Sequence, residues 1–99
     1  MAKYSFTNKA IEDLTDIWNY TYTNWSERQA DNYYHMLIDS CYEIADNPGL
    51  GKNYDGIVEK LFGFKAGRHI IFYRIIKSNE VEILRILHEQ MDLKIRILE

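Results

Sequence analysis

The chain has 99 residues, 46% hydrophobic and 27% charged, which sets a single domain over 1–99 with one core that needs no staples. Its net charge of -3 speaks against broad neutralisation of a phosphate backbone, although a local basic patch stays open. The lone Cys41 excludes an internal disulfide and a cysteine-rich zinc site and fits a reducing cytoplasm, and there is neither a bilayer-spanning apolar run nor a secretory signal core in "MAKYSFTNKA".

"AKYSF" alternates, with Tyr4 and Phe6 on one side, and reads as a first strand. Thr7 or Asn8 can cap the helix that follows. In that helix Ala10, Ile11, Leu14, Ile17, Trp18, Thr21, Tyr22 and Trp25 fall on one arc, which predicts a core-facing stripe. Glu12, Asp13 and Asp16 are placed on the opposite, solvated arc. "SERQ" at 26–29 has the form of a capping box and starts a second helix. Its apolar stripe is Ala30, Tyr33, Tyr34, Leu37, Ile38, Cys41, Ile44 and Ala45, with His35 and Tyr42 outside it. "NPGLG" ends this helix, because the residue before a proline disfavours the helical conformation.

A loop then runs to about Ile57. "VEKLFGFKA", "RHIIFYRII" and "EVEILRILH" read as three strands, with turns at Gly67 and at "KSNE". The order β-α-α-β-β-β predicts an α+β fold, a helical hairpin packed on one face of a largely antiparallel twisted sheet. A two-residue turn at Ser78 and Asn79 sets Ile76 opposite Val81, Arg74 opposite Ile83, Phe72 opposite Arg85 and Ile70 opposite Leu87. The other face then pairs Ile75 with Glu82, Tyr73 with Leu84, Ile71 with Ile86 and His69 with His88. Both faces are apolar, as in strands covered on both sides. The helices cover one. Either the C-terminal segment folds over the other, or that face waits for a partner. The tail "MDLKIRILE" alternates, with Leu93, Ile95 and Ile97 on one side and Lys94 and Arg96 on the other. It fits a strand added to an edge or a short closing element on the core.

The eight tyrosines suit either core margins or a partner-binding surface. His69 and His88 could bind a metal only with a third ligand such as Glu89 or Asp92. Acid–base work by His88, with Arg85 or Arg68 holding an anion, is the pattern of a ribonuclease. The structural alternative pairs the arginines of the last two strands with carboxylates such as Glu82 and Glu89. "GLGK" lacks the spacing of a phosphate-binding loop.

The stretches "DLTDIWNYTYTNW", "NPGLG", "GRHIIFYRI" and "ILRILHEQMD", in this order through nearly the whole chain, resemble the ParE toxins of the RelE/ParE superfamily, the toxin halves of bacterial type II toxin–antitoxin modules. The resemblance implies a cytoplasmic toxin that poisons DNA gyrase by binding, with no turnover chemistry, no cofactor and no direct nucleic-acid readout. It also implies a ParD-like antitoxin that wraps the toxin, covers its apolar surface and forms a hetero-oligomer with it. By that resemblance Arg85, His88, Met91, Asp92, Lys94 and Arg96 are expected to meet the target, with His69, Tyr73 and Arg74 beside them. Trp18, Tyr22, Tyr34 and Tyr42 are expected at the antitoxin. The related RelE-type toxins are ribosome-dependent ribonucleases with a basic cluster and often a tyrosine or histidine near the sheet's end. Here "HEQMD" brings acidic residues and no tyrosine, and the loop before the second strand offers only Lys52 and Lys60. These departures favour gyrase. An inactive antitoxin-binding module is the third reading.

Overall fold

Thr7 is the hinge between the first strand and the first helix. Its backbone is extended, and its hydroxyl accepts from the N–H of Ala10, which starts the helix. The computed structural model describes residues 2–99. They form β1 (Lys3–Phe6), α1 (Asn8–Asn24), α2 (Glu27–Asp46), a 3-10 turn (Pro48–Leu50), β2 (Lys52–Asn53), β3 (Phe62–Ala66), β4 (His69–Lys77), β5 (Glu80–His88) and α3 (Leu93–Ile97). The sheet order is β1-β5-β4-β3-β2. β1 runs parallel to β5, and the other neighbours are antiparallel. This is the expected α+β layout with two added elements, the short strand β2 and the C-terminal helix. Among the described residues no helix is long and apolar enough to cross a membrane.

The helical hairpin covers one sheet face. Ala10, Leu14, Leu37, Cys41, Ile44 and Ala45 meet Ile71, Tyr73, Val81, Ile83 and Ile86 in the main core. Ser26 caps α2 by accepting from the N–H of Gln29, as its sequence suggests. The stripe of α1 is longer than the surface that covers it. Ala10 and Leu14 are buried, whereas Ile11, Tyr22 and Trp25 are 51%, 51% and 70% exposed. Exposed members of the stripe occur toward both ends of α1, so periodicity overstates its burial.

The opposite face is not bare. Leu61, Ile70, Phe72 and Leu87 form a second core, against which Tyr54, Ile57, Leu84, Leu93 and Ile97 pack. The 54–61 loop and α3 are therefore the cover, and an uncovered face awaiting a partner is not what the chain builds. The alternating tail is a helix and not a strand. Asp92 caps it by accepting from Ile95 N–H, and Leu93 and Ile97 lie one turn apart on the inward side. Both periods bring residues 93 and 97 together. Only Ile95 separates them, and it is 63% exposed.

The strand expected over "VEKLFGFKA" is β3 and begins later than its sequence pattern suggests, at Phe62. Lys60 adopts a left-handed φ of 62°, and its N–H donates to Asp55, so residues before it turn instead of extending. The β4–β5 register is as expected from His69↔His88 through Phe72↔Arg85 and then slips by one. Tyr73 faces Ile83, Arg74 faces Glu82 and Ile75 faces Val81, in place of Leu84, Ile83 and Glu82. The irregularity lets Ile83 and Ile86 both point to the helices while Leu84 and Leu87 reach the second core.

Tyr73 lies wholly in the core, so it offers no surface to a target. Its hydroxyl donates to Pro48 C=O at 2.6 Å and accepts from Gly51 N–H at 2.9 Å, pinning the 3-10 turn to the sheet. A Cβ on Gly51 would overlap that hydroxyl, which explains the glycine. Tyr73→Phe should leave both backbone groups without their partner and cost about 1–3 kcal/mol in urea unfolding. An unchanged midpoint would show that the pin is dispensable.

Candidate functional site

Apart from interior Tyr73 and from Arg74, the expected target residues divide into three places. At one end of the sheet, β4 and β5 set His69 against His88, their rings edge to face at 5.3 Å. α2 crosses above and lowers Tyr33 onto them, its hydroxyl 2.6 Å from His69 Nδ1. That hydroxyl also accepts the N–H of Arg68. Its own hydrogen is then free for Nδ1, which places the proton of neutral His69 on Nε2. Gly67 makes the approach possible. Its φ is 60°, and a Cβ there would meet the tyrosine hydroxyl at 2.7 Å. Burial, with a contribution from nearby His88, pushes the His69 pKa down from 6.5 to about 4. Burial likewise raises that of Tyr33. His88 Nδ1 accepts from Gln90 N–H, and Glu89 pairs with Lys65 at 3.2 Å. This end is a satisfied hydrogen-bonded cluster flanked by carboxylates. Among the described residues no group of three histidines, cysteines or carboxylates could hold a metal, so the two histidines do not find a third ligand in Glu89 or Asp92.

The second place is Arg85. It pairs with neither Glu82 nor Glu89. Its Nε and Nη2 donate to the two carboxylate oxygens of Asp13 at 2.8 and 3.1 Å, a bidentate fork. Its Nη1 donates to the carbonyl of Arg96 at 2.7 Å and lies 3.5 Å from Glu99. Asp13 also accepts the N–H of Ile86. The Asp13 hydrogen bond leads the causes that raise the already high Arg85 pKa. Both side chains are nearly buried, at 12% and 13% exposure. Asp13 therefore belongs to the structure's interior and not to a solvated acidic face. Arg74, by contrast, pairs with Glu82 at 2.6 Å on the exposed half of the hairpin, well along β4 from His69. The structure does not bring Arg74 to the other target candidates.

The third place is the exit of β5 and α3. Met91 is 41% exposed, Asp92 is spent as the helix cap, and Lys94 and Arg96 are exposed on the outer side of α3. Asp13, Tyr33 and Glu99 are the residues that sequence reasoning missed. The signal for Asp13 was its spacing, because it falls at i+3 from Ala10 and i−4 from Ile17 and so flanks the buried stripe.

The expected antitoxin residues lie elsewhere, on the helical hairpin. Trp18 and Tyr22 stack at 5.2 Å, and the Trp18 indole N–H donates to Asp31 across the hairpin. Beside them is an open groove of about 560 Å³, lined among others by Phe6, Ile11, Leu14, Trp18 and Tyr34. Trp18 is half-buried, and Tyr22 and Tyr34 are exposed. Tyr42 is exposed two turns further along α2, outside the groove lining.

The family model described as the ParE toxin of the type II toxin–antitoxin system parDE matches residues 4–93. The chain is 34% identical over 92 residues to Toxin ParE1 of Caulobacter vibrioides, covering 93% of this chain and 94% of that protein. It is 32% identical over 91 residues to Toxin ParE1 of Mycobacterium tuberculosis H37Rv, covering 92% and 93%. It is 28% identical over 97 residues to Toxin ParE of Escherichia coli, covering 98% and 94%. The fold matches a chain of the chromosomal ParDE toxin–antitoxin system from P. aeruginosa with a TM-score of 0.74 at 19% identity, over 89% of this chain and 96% of that one. The chain belongs to the ParE toxin family of type II toxin–antitoxin systems.

The sheet-end cluster sets a pH dependence. Between pH 4 and 6.5 the unfolded imidazole binds a proton that folded His69 refuses. The stability that His69 contributes is thus complete above 6.5 and is lost as pH falls toward 4. The slope from this group should be at most about 1 kcal/mol per pH unit after allowance for solvent screening. His69→Gln should flatten the curve in that window relative to wild type, as read by urea unfolding at a series of pH values. Parallel curves would assign the acid sensitivity to other groups.

Proposed function

We propose that this member of the ParE toxin family poisons DNA gyrase by binding it, and that a ParD-like antitoxin neutralises it in a hetero-oligomer. The observation that carries the reading is the family match through nearly the whole chain, in place of any motif for turnover chemistry. The sheet end supports binding over acid–base work. His88, the candidate base, has its Nδ1 engaged by the Gln90 N–H and packs on His69, itself held neutral and bonded to Tyr33, while Glu89 and Asp92 make the surroundings unwelcoming to a phosphate backbone. Target contact is assigned to His88, Met91, Lys94 and Arg96 at the β5 exit and α3, and the place of action to the cytoplasm, where gyrase works.

The antitoxin is assigned to the groove between β1 and the two helices. An amphipathic segment there would cover Ile11 and Tyr34, which are 51% and 39% exposed, and would border Tyr22 where it stacks on Trp18. Target and antitoxin would then occupy different sides of α1.

Two measurements test the reading. Purified chain added to gyrase and supercoiled plasmid should trap cleavage complexes, seen as linear DNA after denaturant. Prompt translation arrest without DNA damage on expression would favour the ribonuclease instead, and loss of that arrest in His88→Ala would establish it. Unaltered growth would mark an inactive antitoxin-binding module. Separately, Tyr34→Ala should weaken antitoxin binding by about 1–3 kcal/mol, as read by calorimetry, and leave the gyrase effect intact. Equal loss of both would mean that the two surfaces are not separate.

A further inference from the structure

We infer that Asp13 and Arg85 are positioning residues: their ion pair holds α3 in the attitude in which the C-terminal segment engages the toxin's target. This inference rests on the assignment of that segment to target contact.

α3 spans only Leu93–Ile97, too short to persist as a helix by itself. Its apolar attachment is slight. Leu93 and Ile97 are half-buried against the second core, while Ile95 and Leu98 are 63% and 60% exposed. The polar attachment is specific. Arg85 Nη1 donates to the carbonyl of Arg96, an acceptor at the helix C-terminus, at 2.7 Å, and attracts Glu99 at 3.5 Å. Arg85 can do this because Asp13 fixes the other edge of its guanidinium through two hydrogen bonds. A planar fork held on one edge presents the other edge in one orientation, which a lysine cannot do. Asp13 is in turn fixed by the N–H of Ile86. The chain of contacts runs from α1 through β5 to α3, and it orients Lys94 and Arg96, the two exposed cations of the tail. Neither Asp13 nor Arg85 has much surface of its own to give a partner, so their effect passes through the helix that they hold.

The test uses the full chain. Asp13→Asn keeps an oxygen for the Ile86 N–H but loses the charge, so the fold should survive. Arg85→Lys keeps the charge but loses the fork. In both, backbone amides within 96–99 should exchange faster with deuterium while those of β4 and β5 keep their protection. If the engaged attitude is populated a tenth as often, the toxin concentration for half-maximal gyrase cleavage complexes should rise about tenfold. Growth arrest on expression, which does not depend on the target's identity, should weaken in parallel. Unchanged exchange in the tail overturns the inference, and so does full potency despite faster exchange. Growth arrest by wild type without gyrase complexes would remove the gyrase reading alone, and the inference would stand or fall on the arrest. A wild-type chain that arrests nothing overturns both.

Discussion

Strand β5 is longer than its parallel neighbour β1, and most of the molecule's polar organisation follows from that mismatch. β1 pairs with β5 only as far as Ile83, where the chain turns into α1. Beyond that point one edge of β5 has backbone groups without a strand to bond, each costing about 1–3 kcal/mol if buried and unmet. The start of α1 supplies what is missing. Thr7 donates its N–H to Ile83 C=O and its hydroxyl to Leu84 C=O. Asp13, two turns on, accepts the N–H of Ile86. A helix thus continues the edge that a strand began. Among the described residues no buried side-chain oxygen or nitrogen is left without a partner.

Once Asp13 is brought against the sheet edge, its charge requires a partner, because a nearly buried carboxylate is costly alone. Arg85 answers it from the next position on β5. Such a pair adds little net stability over an apolar pair of similar size, yet losing one member is expensive. Its contribution is to fix arrangement. An apolar contact would let α1 slide along the sheet, whereas a bidentate fork sets both the depth and the rotation of α1 against β5. The same guanidinium then reaches the tail, so three elements far apart in sequence share one set of coordinates.

These relations mark the limit of what the residues disclose. The order of the main elements, the Ser26 cap, the first cap to within Thr7 or Asn8, and the pairing from His69↔His88 to Phe72↔Arg85 were legible, because each rests on local chemistry or on a short turn. The slip beyond Phe72 was not. Both faces of the β4–β5 hairpin are apolar, so a one-residue shift exchanges apolar for apolar and the pattern cannot register it. Tyr33 above His69 depends on how the helical hairpin crosses the β3–β4 turn, and no spacing in the sequence encodes that crossing. Of the candidate target residues, the sequence placed His69 beside His88 but also gathered Tyr73 and Arg74 with them. Tyr73 is interior, and Arg74 sits far along the strand in its own ion pair.

The thinness of the second cover explains why the tail needs a polar tie at all. A chain of 99 residues that spends two helices on one sheet face has little left for the other. The second core has four buried residues, roofed by a loop and five residues of helix, and Val58 in that loop remains 37% exposed. Apolar burial under such a roof is too small to order a short helix against its conformational entropy, roughly 1–2 kcal/mol for each residue fixed. A charge-assisted hydrogen bond to a carbonyl at the helix end, delivered by a side chain already immobilised by Asp13, contributes where area cannot. The arginine in the middle of an otherwise apolar strand is therefore a consequence of the two-sided sheet: one edge of β5 runs past its neighbouring strand, one face has only a thin cover, and a single guanidinium ties the helix at that edge to the cover on that face.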